Sequence, residues 1–446
     1  MRTRINEHGA VADGSTLNTA AIQTAIEACS QAGGGTVVVP PGRFVTGTLE
    51  LRSRVSLYLE AGAVLVGSTS LADYRDNGFE HVNNHFSAAE GGKSLSLIYA
   101  DGAEDTGIHG PGTIDMSSDA FFDFDTLKPM RGVAPEDLSP EQRAEATVVK
   151  KDGPTLPIFF ANCTRVEIAG VRLVNAPSWT VNFTDCRDVK VHHITIRDDL
   201  RVPISDGIHI CGSKDVVITD SVISCGDDCV AITGVTSWNG VSERIVISNC
   251  TMQSSSAGVR VGFLASKVRD VVVSNLAIHD SSRGFTIFAG DDGWVENVSI
   301  QDVVMRTRVR AGNWWGKGEP LVICAAESSG RIEHVRVRGV TARSENGAVI
   351  AGDAKNVRDV LLDDWSLELS RGPSYELFGR VIDLEPSGTL PAPEGRAPWL
   401  NAWQAAGVRL SNVRYRAPEQ DGAKLPAEAI YDDVEVALER DVVEVQ

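Results

Sequence analysis

No window of this chain approaches the roughly 18 consecutive apolar residues of a membrane span, so a helical membrane protein is excluded from the start. Behind the basic start Met1-Arg-Thr-Arg4 there is no apolar segment of the kind a secretory leader carries, and a cytoplasmic location is the expectation. Proline is modest at 18 residues and builds no proline-rich linker. Aromatic residues make up only 6%, so the core must come from small and β-branched side chains. Clustered cations are missing too. The 42 lysines and arginines face 60 acids, a net charge of −18, which excludes nucleic acid and disfavours polyanions at long range unless a local basic pocket overrides it. The eight cysteines (29, 163, 186, 211, 225, 229, 250 and 324) are scattered through apolar, strand-like contexts and read as buried free thiols. Cys225 and Cys229 lack a second Cys or His pair at zinc-site spacing, so neither a metal nor another cofactor is expected.

What the chain does have is a repeat. A polar residue, alternating apolar positions, a short break and a second apolar run return again and again. The pattern starts at Arg165, Asp188, Asp215, Arg244, Asp270, Asn297, His334 and Asp359, reading for example Asp188-Val-Lys-Val-His-His-Ile-Thr-Ile. Most copies are 23 to 29 residues apart, and the step of 37 from Asn297 to His334 must carry an insertion. Short alternating runs of Val, Ile and Thr are strands. Three such strands per period fit one rung of a stacked, parallel solenoid, in which each rung pairs with the rungs before and after it.

An open solenoid end recruits foreign strands and needs a cover. Thr16 to Ala32 fits that role: Asn18 as N-cap, a stripe of Ala20, Ile22, Ala25, Ile26 and Cys29, and Gly33-Gly34-Gly35 as terminator. The expected organisation is one all-β domain over 1–446. Its capped start spans 1–70, rungs with insertions span 71–370, and a C-terminal loop and cover over 371–446 is a candidate homo-oligomer contact.

Against this frame three acids stand out. Ser205-Asp206-Gly207-Ile208 and Cys225-Gly226-Asp227-Asp228-Cys229 lie about one repeat apart, which on a solenoid brings all three carboxylates to one face. Neighbouring carboxylates do not all ionise easily, so one keeps its proton and serves as acid while the others hold water. That set suits glycosidic hydrolysis. Asp291-Asp292-Gly293 and Asp363-Asp364 lack the surrounding motif and read as turn formers.

Two regions together resemble the polygalacturonase family, glycoside hydrolase family 28. The first runs through Gly9-Ala-Val-Ala-Asp-Gly14, Gly33-Gly-Gly-Thr-Val-Val-Val-Pro-Pro-Gly42 and Gly62-Ala-Val-Leu-Val-Gly-Ser68. The second contains Ala176-Pro-Ser-Trp-Thr-Val181, Asp206-Gly-Ile-His-Ile210 and Gly226-Asp-Asp-Cys-Val-Ala-Ile232. The resemblance covers most of 5–310 and implies a right-handed parallel β-helix. It also implies Asp227 as general acid, Asp206 and Asp228 as the water-activating base, and inversion at the anomeric carbon. Rung spacing by itself, about 4.8 Å, is nearer the short carboxylate separation of retaining enzymes.

The chain departs from the family's other signatures. The Asn of the first signature is replaced, its His falls on Ala257, and its Arg and Lys fall on Thr286 and Phe288. Neither of the last two can pair with a uronate carboxylate, so the expected substrate is an oligo- or polysaccharide other than plain polygalacturonate. Arg260 and Arg283 are candidate replacement contacts. In the longest gap between copies, Gly312-Asn-Trp-Trp-Gly-Lys-Gly-Glu319 suggests a sugar platform of Trp314 and Trp315 with Lys317 and Glu319 gripping hydroxyls. Trp179 reads as core, and His192, His193 and His209 as structural or rim residues. Two other readings stay open: a β-helix polysaccharide lyase or epimerase, and a non-catalytic glycan-binding solenoid.

Overall fold

The computed structural model describes all residues except 80–92, 131, 235–239, 327, 421 and 446. The chain forms two compact units, one of Met1–Thr126 with Val148–Gly226, the other of Leu127–Thr147, Asp227–Thr236 and Val241–Gln446. Both are stacks of short parallel strands, the rungs of a parallel β-helix. Among the described residues no helix is long and apolar enough to cross a membrane.

In the first unit, strands Glu104–His109, Thr164–Ala169, Arg187–His192 and Lys214–Thr219 pair in parallel. Their register aligns Ile108, Ile168, Val191 and Ile218, all fully buried, so the alternation in the sequence becomes an inward-facing column. A second sheet, through Ile158–Ala161, Val181–Thr184 and Ile208–Cys211, is buried on both faces. Helix Thr19–Gln31 buries Ile22, Ala25, Ile26 and Cys29, as the stripe requires. Ala20 is exposed, and Asn18 does not cap the helix with its side chain. Instead its Oδ1 accepts from the Val11 N–H at 2.7 Å while its Nδ2 donates to the Val11, Thr16 and Val45 carbonyls. Asn18 thus ties the incoming chain to the first rungs.

The second unit repeats the plan over longer strands, among them Val241–Ser254, Lys267–Ser281, Trp294–Thr307, Arg331–Ser344 and Val357–Leu369. Ile247, Val273, Ile300, Val337 and Leu362 lie in register and are fully buried. All eight residues that open the sequence repeat sit at φ between 53° and 60°. A left-handed corner is the reason each copy begins with a polar residue, since Asp and Asn tolerate that conformation best. Asp291 and Asp364 are also left-handed, in keeping with their reading as turn formers.

The rungs do not end near 370. Leu400–Trp403, Val408–Arg416, Ile430–Asp432 and Val436–Glu444 continue both sheets in parallel. Asn412 and Asp441, at the place that Asp364 takes one rung before Asn412, are left-handed as well. The interruption between Leu369 and Leu400 holds a short antiparallel hairpin of Val381–Asp383 with Thr389–Pro391 and masked the last copies of the pattern.

Candidate active site

Asp206 lies just before strand Ile208–Cys211 and is 1% exposed. The Thr180 N–H donates to its carbonyl at 2.8 Å. Its Oδ2 pairs with Nδ1 of His209, also 1% exposed, and the Trp179 ring stacks on the His209 ring with centroids 3.5 Å apart at 24°. Trp179 is in turn held by its flanks. Asp198 accepts from the Ala176 N–H at 2.7 Å and the Thr180 hydroxyl at 2.8 Å. Burial pushes the Asp198 carboxyl up to about 7. A carboxyl raised on folding stabilises the folded state below the ordinary carboxylate range, and that stability is lost as pH rises towards about 7. The thermal midpoint of the wild type should therefore fall relative to Asp198→Asn as pH is raised from about 4 to about 7. A parallel course for the two proteins would show that Asp198 does not titrate in this range.

Asp227 opens the second unit and is partly exposed. Its Oδ1 accepts from the Asp228 N–H at 3.0 Å, and its carbonyl accepts from the Ser254 hydroxyl. Asp228 is 1% exposed. Its Oδ1 accepts from the Ser256 hydroxyl at 2.9 Å and the Ala257 N–H at 3.0 Å, and its Oδ2 accepts from Arg260 Nε. The Arg260 guanidinium also lies 5.0 Å from the centre of the Phe263 ring, which stacks on Trp315 at 6.0 Å.

One carboxylate oxygen of Asp227 lies within 4.8 Å of one of Asp228. Oxygen donors at this spacing also suit a hard cation. Yet both Asp228 oxygens already face donors, one of them a guanidinium, and a cation there would meet a fixed positive charge. The donor set fits proton chemistry better.

The other expected contacts are placed differently. Arg283 is 2% exposed, paired with Glu319 and Asp383, each at 3.4 Å, and donates to the Thr286 hydroxyl at 3.1 Å. Glu319 is 1% exposed and also accepts from the Lys317 N–H at 2.6 Å. Lys317 Nζ donates to the Trp314 carbonyl at 2.8 Å. Burial pushes the Glu319 carboxyl up, and Arg283 beside it only partly offsets this; burial pushes the Lys317 ammonium down. Arg283, Glu319 and Asp383 form a buried salt cluster rather than a substrate grip, and the Lys317 side chain is tied back to its own loop. Trp314 is 5% exposed with its indole N–H on the Glu145 carbonyl at 3.2 Å, so it fastens its loop to a distant segment and offers no face to a sugar. Trp315 remains half-buried and available.

The two tryptophans should therefore respond in opposite ways. Trp314→Ala is expected to cost about 3 kcal/mol of stability, as a buried large-to-small change does. Trp315→Ala should leave the unfolding midpoint close to wild type and weaken sugar binding by roughly tenfold. Denaturant melts and glycan titration of the two variants check this.

Sequence reasoning assigned His209 and Trp179 to structure. An alternating strand puts residues three apart on opposite faces, but the bend at Asp206-Gly207 brings the carboxylate back under His209. The one available signal was a His close to the Asp206 motif. All eight cysteines are buried and none forms a disulfide.

The family model for glycosyl hydrolases family 28 matches residues 29–376. The chain belongs to glycosyl hydrolases family 28. It is 28% identical over 314 residues to a probable polygalacturonase of Vitis vinifera, covering 68% of this chain and 60% of that protein. It is 26% identical over 244 residues to a probable polygalacturonase of Arabidopsis thaliana, covering 50% of this chain and 51% of that protein. The match thus spans only half to three-fifths of the length of these relatives. The structure of an exopolygalacturonase from Thermotoga maritima superimposes with a TM-score of 0.66 at 23% identity, covering 83% of this chain and 87% of that one. The shared fold is the right-handed parallel β-helix.

Proposed function

We propose that this protein hydrolyses an α-linked glycosidic bond in an oligo- or polysaccharide. Asp227 protonates the leaving oxygen, and Asp206 and Asp228 hold and activate the water. The observation that carries this reading is a partly exposed Asp227 carboxyl within 4.8 Å of a buried Asp228 carboxyl whose oxygens already have partners. An acid must reach a substrate oxygen, and Asp227 is the member of the set that solvent reaches. Asp228 has donors on both oxygens, which suits it to orient a water and makes it a poor nucleophile at carbon. Inversion follows from that assignment.

The sugar beside the scissile bond is neutral, or has its carboxylate held elsewhere. Thr286 and Phe288 are 3% and 2% exposed and carry no charge, while Arg260 is committed to Asp228. Trp315 stacks a sugar ring, resting on Phe263. The test is a panel of uronic and neutral α-linked oligosaccharides, with products resolved by anomer. Release of a saturated sugar of inverted configuration supports the reading. Products that are unsaturated uronates would instead make the protein a lyase. Binding without turnover on every member would leave a glycan-binding solenoid.

A further inference from the structure

A polysaccharide bound at Asp228 has to continue along the stack of rungs, and one side chain per rung defines the track it follows. In the second unit that track can be read from the register. The Ala257 N–H donates to the Asp228 side chain and the Cys229 N–H to the Ala257 carbonyl, so Ala257 lies on the next rung. Ala257 is in register with Arg283, and Arg283 with Glu319. With rungs about 4.8 Å apart, Arg283 stands about 10 Å along the stack from Asp228.

At that rung the track is built over. Arg283 and Glu319 are 2% and 1% exposed, and two chain segments cover them. From one segment, the Gly316 N–H donates to Asp383 Oδ2 and the Lys317 N–H to Glu319 Oε2. From the other, the Asp383 carbonyl accepts from Arg283 Nη2 at 2.8 Å. Asn346 ties both together, donating to the Lys317 carbonyl at 2.7 Å and the Gly379 carbonyl at 3.0 Å. No layer of sugar fits beneath this cover. A Cβ on Gly316, at φ 91°, would meet the Ser282 backbone at 2.9 Å and Arg283 Cβ at 3.0 Å, so glycine lets the covering backbone lie directly on the rung. The pairs that hold the cover are buried and charged, which makes it a wall and not a lid that opens with ordinary loop motion.

We propose that the substrate track ends at this wall, so that the enzyme acts from a chain end and releases a product of one or two sugars. This rests on the hydrolase reading above. A sugar unit advances a chain by about one rung step, and only the Ala257 rung separates the acid from the wall. Trp315 and Phe263, both half-buried, border the short space that remains.

The experiment is a time course on the wild-type protein with whichever polymer of the panel it cleaves, and with its oligosaccharides labelled at the reducing end. Solution viscosity is followed against new reducing ends. A single short product from the earliest time, with viscosity nearly unchanged, is the expected result, and the label shows which end is attacked. An early ladder of intermediate sizes with a rapid fall in viscosity would overturn the wall while leaving the hydrolase intact. No hydrolysis of any polymer or oligosaccharide overturns the hydrolase reading and this inference with it.

Discussion

Asp227→Asn should lower kcat on the best substrate by about 10²- to 10⁴-fold, with KM within a few-fold of wild type. The amide cannot give up a proton to a leaving oxygen, while its size and its acceptor for the Asp228 N–H are preserved. Asp227 is partly exposed, so the change leaves no buried charge without a partner and the unfolding midpoint should hardly move. A substrate with a good leaving group, such as an aryl glycoside, needs less protonation and should lose much less rate. Equal loss on both substrates would place the proton donor elsewhere. Unchanged turnover on natural glycans would remove Asp227 from the chemistry altogether.

Arg283→Met should destabilise the protein by about 3 to 5 kcal/mol, the cost of removing one partner from a buried charge cluster. Methionine replaces the stem but leaves the Glu319 and Asp383 carboxylates facing each other in a dry site. Glu319 would then resist ionising more strongly. Burial already pushes the Glu319 carboxyl up with Arg283 in place, so its loss pushes further. A raised carboxyl favours the folded state at low pH and loses that contribution as pH rises, so the deficit should grow from about pH 5 to pH 8. Denaturant midpoints at the two pH values measure it, and adding Glu319→Gln should recover part of the loss. A small, pH-independent effect would mean the cluster is hydrated. A partly loosened wall should also appear as longer early products from any protein that still folds.

Much of the fold was legible because a solenoid writes itself into the chain as a period. Each rung needs the same inward apolar column and the same left-handed corner, so Asp188, Asp215, Asp270 and Asp359 recur at matching places. The last rungs at Val408 and Val436 carry the same pattern and were obscured only by the long interruption before them. The candidate acids were legible for a related reason. A turn that must hold two adjacent carboxylates at the head of a strand keeps a fixed local motif.

The neighbours of those acids were not legible. Sequence showed Arg260, Arg283, Lys317, Glu319, Trp314 and Trp315 as residues able to bind a sugar, and could not show what else they touch. Arg260 meets Asp228 across one rung, and Arg283 meets Glu319 across the next and Asp383 a hundred residues on. Two adjacent tryptophans point one towards a distant segment and one towards solvent.

The sequence by itself determined a repeating parallel β-helix and an acid set suited to glycosidic hydrolysis, because both depend on local pattern and spacing. Only the tertiary structure decided which charges are neutralised, which ring is free and where the track along the rungs is closed. Those outcomes depend on side chains from distant rungs and on insertions folded over them, and burial turns an apparent ligand into a structural ion pair.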